Sequence, residues 1–136
     1  MSELIKVEAS ELEGAALDWA VAKSRGGEYK PFQFACNEDA PLHDAWVFPG
    51  GSASTSYRPS TNWAQGGPLI AEKVTVTVDT ENGCYADCGA QAHAVKHQKP
   101  LDEYDGSGPT ILIACMRAIV SSELGPKVEV PKELVT

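Results

Sequence analysis

The stretch VTVTVDTENGCYADCGAQAHAVKH, residues 74–97, decides the fold. Val74, Val76 and Val78 alternate with Thr75 and Thr77, the period of a strand with one buried face. Glu81-Asn82-Gly83 follows, and Asn-Gly is the pair best suited to the positive φ angles of a tight hairpin turn. Cys84 to His97 then reads as the returning strand. There Ala86, Cys88, Ala90, Ala92 and Ala94 alternate with Tyr85, Asp87, Gly89, Gln91, His93 and Val95. Alanine and glycine are poor strand formers, so alternation and the turn carry this return, not propensity.

Two helices flank the hairpin in sequence. Over residues 10–25, Leu12, Ala15, Ala16, Trp19 and Ala20 recur at helical spacing. Ser10 and Glu13 fit a capping box at the start, and Gly26-Gly27 stops the helix. Residues 108–124 form the second. Ser107 or Gly108 caps it, Pro109 lies in its first turn, and ILIACMRAIVSSEL is apolar almost all round, as in a buried helix. Gly125 and Pro126 end it. The tail KVEVPKELV is extended, with Val128 and Val130 on one face. Gly66-Gly67-Pro68 opens a single helical turn over Leu69–Glu72.

Residues 28–62 read as irregular, anchored by Tyr29, Phe32, Phe34, Leu42, Trp46, Val47 and Phe48, with one short strand at Ala45–Phe48. Residues 49–61 are small and polar, and read as a mobile loop. Together the elements predict an α+β fold, one small domain over residues 1–136. An antiparallel hairpin-based sheet packs with the two main helices.

Composition narrows the function. A chain of 136 residues is normally one domain, and folding buries roughly 68% of its surface, enough for a core without staples. With 43% hydrophobic and 22% charged residues it is neither disordered nor collagen-like. No run approaches the roughly 20 apolar residues that span a bilayer, and the start MSELIKVEAS is no secretory signal. Cys36, Cys84, Cys88 and Cys115 are therefore expected as reduced thiols in a cytoplasm. Cys115, inside an apolar run, reads as a core residue. The formal net charge of −8 is spread evenly, with no basic stripe. Direct nucleic-acid binding is disfavoured, because a duplex-binding surface needs cations to displace condensed counterions.

Three constellations could carry chemistry. Cys84, Cys88, His93 and His97 offer zinc-type ligands, but the two pairs are closer than zinc fingers place them, and a strand would turn them to opposite faces. Asn62-Trp63-Ala64-Gln65-Gly66-Gly67-Pro68 offers polar edges, a ring to stack on and glycines that free backbone amides for an anion. A simple turn explains the same residues. Arg117 lies in the apolar helix and needs a partner if buried, either a ligand anion or an acid such as Asp18 or Glu129. No catalytic set stands out: neither G-x-S-x-G, nor H-E-x-x-H, nor a phosphate-loop fingerprint occurs, and Cys36 with His43 is too common a combination to credit. No cofactor and no metal is assigned.

LEGAALDWAVAK at 12–23, RPSTNWAQGGPLI at 58–70 and GPTILIACMRAIVSSELGPKVEVPKEL at 108–134 together resemble the NinX-like family of small temperate-phage and prophage proteins. Arg58 before the proline and Ile111 in place of a second proline depart from the family pattern. The resemblance implies an origin more than a chemistry: an accessory gene product acting in the bacterial host cytoplasm. It marks Ser60, Thr61, Asn62, Trp63, Gln65, Gly66 and Gly67, with Arg117 in the last block, as motif positions, and these eight are the expected binding residues, since an exposed, polar, glycine-rich motif suggests a site more than a packing stripe does. The expected function is a non-catalytic protein that binds a host or phage macromolecule, in the first place a protein. The alternative is a small-molecule pocket, for a nucleotide-like or anionic metabolite, joining Trp63, Gly66 and Gly67 to Arg117, with or without turnover.

Overall fold

The computed structural model describes residues 3–81, 83–88 and 106–135. Among these residues it is an α+β fold of three helices and three small antiparallel sheets. The hairpin forms as the alternation predicts: β5 (Val74–Thr80) pairs with β6 (Gly83–Cys88) from Val74↔Cys88 to Thr80↔Gly83. The remainder of the expected return, residues 89–97, lies outside the described residues, as does Asn82. Residues Gly106–Gly108 add a third strand, β7, beside β6, so they do not cap the second long helix. That helix, α3, spans Ile111–Leu124, and Thr110 Oγ1 accepts its Ile113 N–H at 3.1 Å. Leu112, Ala114, Cys115, Met116, Ala118, Ile119 and Val120 are all buried, as an all-round apolar sequence requires. The tail strand β8 (Lys127–Pro131) buries Val128 and Val130 on one face and pairs with β1 (Leu4–Glu8), which ties the two ends of the chain together.

The first helix is shorter than its periodicity suggests. Residues Ala9–Glu11 form a 3-10 turn, and α1 runs Gly14–Ser24 with Glu13 at its N-cap and no side-chain cap bond. The Ser10–Glu13 capping box does not form. Leu12 is wholly buried and extended, and its carbonyl is turned to Arg117 Nε at 2.7 Å. Tertiary demand on Leu12 outweighs a surface cap. At the other end Gly26 takes φ +77°, and Gly27 N–H bonds Ala22 O at 2.9 Å, closing the helix as a left-handed cap.

Two expectations are corrected. Residues 28–62 hold three strands instead of one: β2 (Glu28–Phe32), β3 (His43–Val47), which takes in most of the expected Ala45–Phe48, and β4 (Ala53–Ser54) form a meander between irregular connections. Pro31 obscures β2 in the sequence, yet it lies on an edge strand, where a missing donor is tolerated. The stretch 49–61 contains β4, and Tyr57, Pro59 and Ser60 within it are buried. The second correction is a third helix. α2 spans Trp63–Lys73, not one turn at Leu69–Glu72, with Pro68 inside it. Gly, Gly and Pro argue against a helix by propensity. The Asn62 cap and the burial of Gly66 and Leu69 override that preference.

One core joins these layers. Leu12, Leu17 and Val21 of the N-terminal segment meet Met116, Ile119 and Val120 of α3, with Val130 of β8.

Candidate functional site

A cleft of about 650 Å³ opens between α1, the β2–β3–β4 sheet and the segment that leads into α2. Helix α1 contributes Gly14, Ala15, Asp18 and Trp19, which helical spacing places along one stripe. Tyr29 and Trp46 are register partners across β2 and β3, so their side chains share one face of the sheet, with ring centroids 5.5 Å apart. Trp19 meets Trp46 edge to face at 6.1 Å. Residues 55–58 and Thr61 close the far wall, and Leu134 lies at one end. Tyr57 is fixed there by Phe48, at 4.9 Å between centroids, and by Arg25, whose Nη1 donates to the Tyr57 hydroxyl at 2.9 Å.

The cleft contains one buried acid and one exposed cation. Asp18 is 6% exposed, and its Oδ1 accepts the Ser60 main-chain N–H at 2.9 Å. Burial pushes the Asp18 carboxyl above its ordinary range; the Ser60 N–H, the Ser60 hydroxyl and the Arg58 charge oppose this without cancelling it. The Ser60 hydroxyl lies close enough to favour the charged carboxylate, but it falls short of a hydrogen bond and is buried with no partner among the described residues. Arg58 is exposed at the rim. Its main-chain N–H donates to Gln65 Oε1, while its guanidinium is committed to no ion pair among the described residues.

The residues singled out by sequence divide into different roles. Of the eight, Thr61 lines this cleft. Ser60 anchors Asp18. Asn62 Oδ1 accepts from Ala64 N–H at 2.9 Å and caps α2. Gln65 clasps the far wall, accepting from Arg58 and donating from Nε2 to Ser56 O at 2.6 Å. Gly66 N–H bonds Asn62 O at 2.8 Å inside the helix, so its amide does not form an anion cradle. What Gly66 supplies is closeness: a Cβ there would overlap Pro59 O and come within 2.7 Å of Leu112 Cδ2. Gly67 packs within reach of Trp63, whose ring is 59% exposed. Gln65 also lines a smaller cavity of about 290 Å³ with Arg25, Phe48 and Glu72.

Arg117 is not joined to this motif by hydrogen bonds. Its Nε and Nη1 donate to Leu12 O at 2.7 Å and Ser107 O at 2.8 Å. Neither Asp18 nor Glu129 pairs with it; two carbonyls satisfy it, and it fastens the N-terminal segment and β7 to α3. Burial lowers its pKa, and the Glu13 charge opposes that.

The zinc reading is only partly visible. Cys84 donates its thiol to Asp79 Oδ1 at 3.4 Å, and His93 and His97 lie outside the described residues. Among the described residues no group of three or more His, Cys, Asp or Glu is placed to hold a metal ion. Sequence reasoning missed Asp18, Trp19, Tyr29, Trp46, Tyr57 and Arg58 as neighbours. The readable signal was an acid at position 18 on the apolar face of a helix, where a charge is costly unless it serves something.

No helix among the described residues is long and apolar enough to cross a membrane. Comparison with curated proteins found no match. A family model described as bacteriophage P22, NinX, matches residues 8–123, which takes in α1, α2, all of α3 but its last residue, and the cleft wall except Leu134.

Proposed function

The chain belongs to the NinX family of bacteriophage P22 and is a phage accessory protein, and on that premise we propose that it acts by binding, in the cytoplasm of the bacterial host, with the aromatic cleft as its binding site. One observation carries this: about 650 Å³ walled by Trp19, Tyr29, Trp46 and Tyr57, with a single buried carboxylate inside. Sites for small organic ligands commonly have this size, roughly 300–1,000 Å³, with apolar walls and few polar groups that fix orientation. The described lining offers the hydroxyls of Thr55, Ser56 and Thr61 with no imidazole, amine or thiol beside them, and its one carboxylate, Asp18, is bonded to the Ser60 N–H and to none of these hydroxyls. That favours holding a ligand over turning it over.

A second reading is a host or phage protein as partner. Trp63 favours it, because a tryptophan 59% exposed on α2 is the residue type that anchors protein interfaces.

Untagged protein from phage-carrying cells tests the first reading by native against denaturing mass spectrometry. A non-covalent mass retained by the wild type and lost by Tyr29→Ser and Asp18→Asn supports it. An adduct indifferent to both variants overturns it. Retention of a protein partner that Trp63→Ala releases would favour the second reading.

A further inference from the structure

We propose that the cleft takes a nucleoside phosphate, with its base against Trp46 and Tyr29, an N–H edge of the base on Asp18 and the phosphate on Arg58. The inference rests on the reading of the cleft as a binding site and names the ligand class.

The walls are flat π surfaces. Tyr29 and Trp46 are tilted 57° to each other, and Trp19 meets Trp46 at 75°, so the rings form a corner that a planar ring can enter. Purely apolar ligands are disfavoured by Asp18, since a carboxylate left facing one would be desolvated without compensation. Oδ1 accepts from the Ser60 N–H, and no hydrogen bond to Oδ2 is formed among the described residues, the nearby Ser60 hydroxyl included. A carboxylate is an acceptor only, so its complement is an N–H donor. A simple ammonium ion would meet that need, but Arg58 in the lining repels it; two further cations rest on the aromatic walls without lining the cleft. Lys23 lies over Trp19 at 5.5 Å and Arg25 over Tyr57 at 5.8 Å. A cationic ligand is opposed by Arg58; a ligand with a neutral donor edge and an anionic tail is not. Arginine suits that tail, because its planar fork matches phosphate oxygens. The hydroxyls of Thr55, Ser56 and Thr61 lie on the wall that a sugar would pass. Guanine presents two adjacent N–H donors, which Oδ2 and the remaining lone pair of Oδ1 can accept, whereas adenine presents one amino group, so GMP is the expected preference.

Tryptophan fluorescence reads this directly. The chain has three tryptophans, and Trp63→Phe silences the exposed one, leaving Trp19 and Trp46, both in the cleft wall. The titrants are GMP, AMP, CMP, UMP and guanosine; indole, a neutral aromatic probe that itself fluoresces like tryptophan, is titrated by calorimetry. GMP is expected to quench saturably and more tightly than AMP. Arg58→Gln should weaken GMP about tenfold, the change one charge-assisted hydrogen bond represents, and leave guanosine unchanged. Asp18→Asn should abolish the preference for guanine while stacking persists. If indole binds and Tyr29→Ser removes it, yet no nucleotide competes, the nucleotide inference is overturned and the cleft reading stands. If neither indole nor a nucleotide binds, both fall. Nucleotide quenching indifferent to Arg58→Gln and Asp18→Asn also overturns the inference.

Discussion

The carboxylate of Asp18 and the main-chain N–H of Ser60 meet at 2.9 Å although 42 positions separate them in the chain. This bond joins α1 to the segment that forms the opposite wall of the cleft. Around it the middle motif works as a clasp: Asn62 caps α2, Gln65 holds residues 56 and 58, and Gly66 lets Pro59 settle against the helix. The motif shapes the site without lining most of it.

Asp18 gives stability a pH signature. Its carboxyl titrates above the usual 3.8 in the folded protein, mainly through burial. Between the unfolded value and the folded one the native state holds more protons, so stability falls as pH rises through that window and is level above it. Asp18→Asn keeps an acceptor for Ser60 and removes the charge. The melting temperature of the variant relative to wild type should therefore rise from acid to neutral pH. A difference that shrinks instead would show that the charge is net stabilising.

Gly66→Ala should destabilise by roughly 1–3 kcal/mol, because the added methyl overlaps backbone at Pro59 and must displace Leu112 as well. Urea unfolding measures this. A midpoint equal to wild type would mean that α2 and residue 59 separate freely.

Arg117→Met removes the donors of two part-buried carbonyls, Leu12 O and Ser107 O. The expected loss is roughly 1–3 kcal/mol, with cleft binding of any ligand unchanged once the protein is folded. A selective loss of ligand affinity at wild-type stability would return Arg117 to the binding site.

The thiols should react in order of exposure. Cys36 is exposed, while Cys115 is fully buried and its pKa is pushed up to about 11 by desolvation. Pulsed alkylation of native protein at pH 8, followed by mass spectrometry, should modify Cys36 early and Cys115 only at the rate of global unfolding. Early labelling of Cys115 would reveal local opening of α3.

Local pattern determined a good deal. The valine alternation at 74–78 with its Asn-Gly turn gave the β5–β6 hairpin, the apolar run at 111–124 gave α3, and Val128 with Val130 gave the inward face of β8. Each is a period of two or 3.6 residues, which a sequence displays directly. Arg117 was recognised as a group that needed a partner, but not which one, because carbonyls of Leu12 and Ser107 carry no signature in the chain. The motif at 60–67 was legible as special, and its backbone role was hidden: Gly-Gly-Pro argues against a helix until burial of Gly66 and Leu69 is counted. The cleft was decided by tertiary structure alone. Tyr29 faces Trp46 only because β2 and β3 pair in one register, a shift of one residue would send each ring to the other face, and Asp18 reaches that corner only because Ser60 is folded back across 42 residues to meet it.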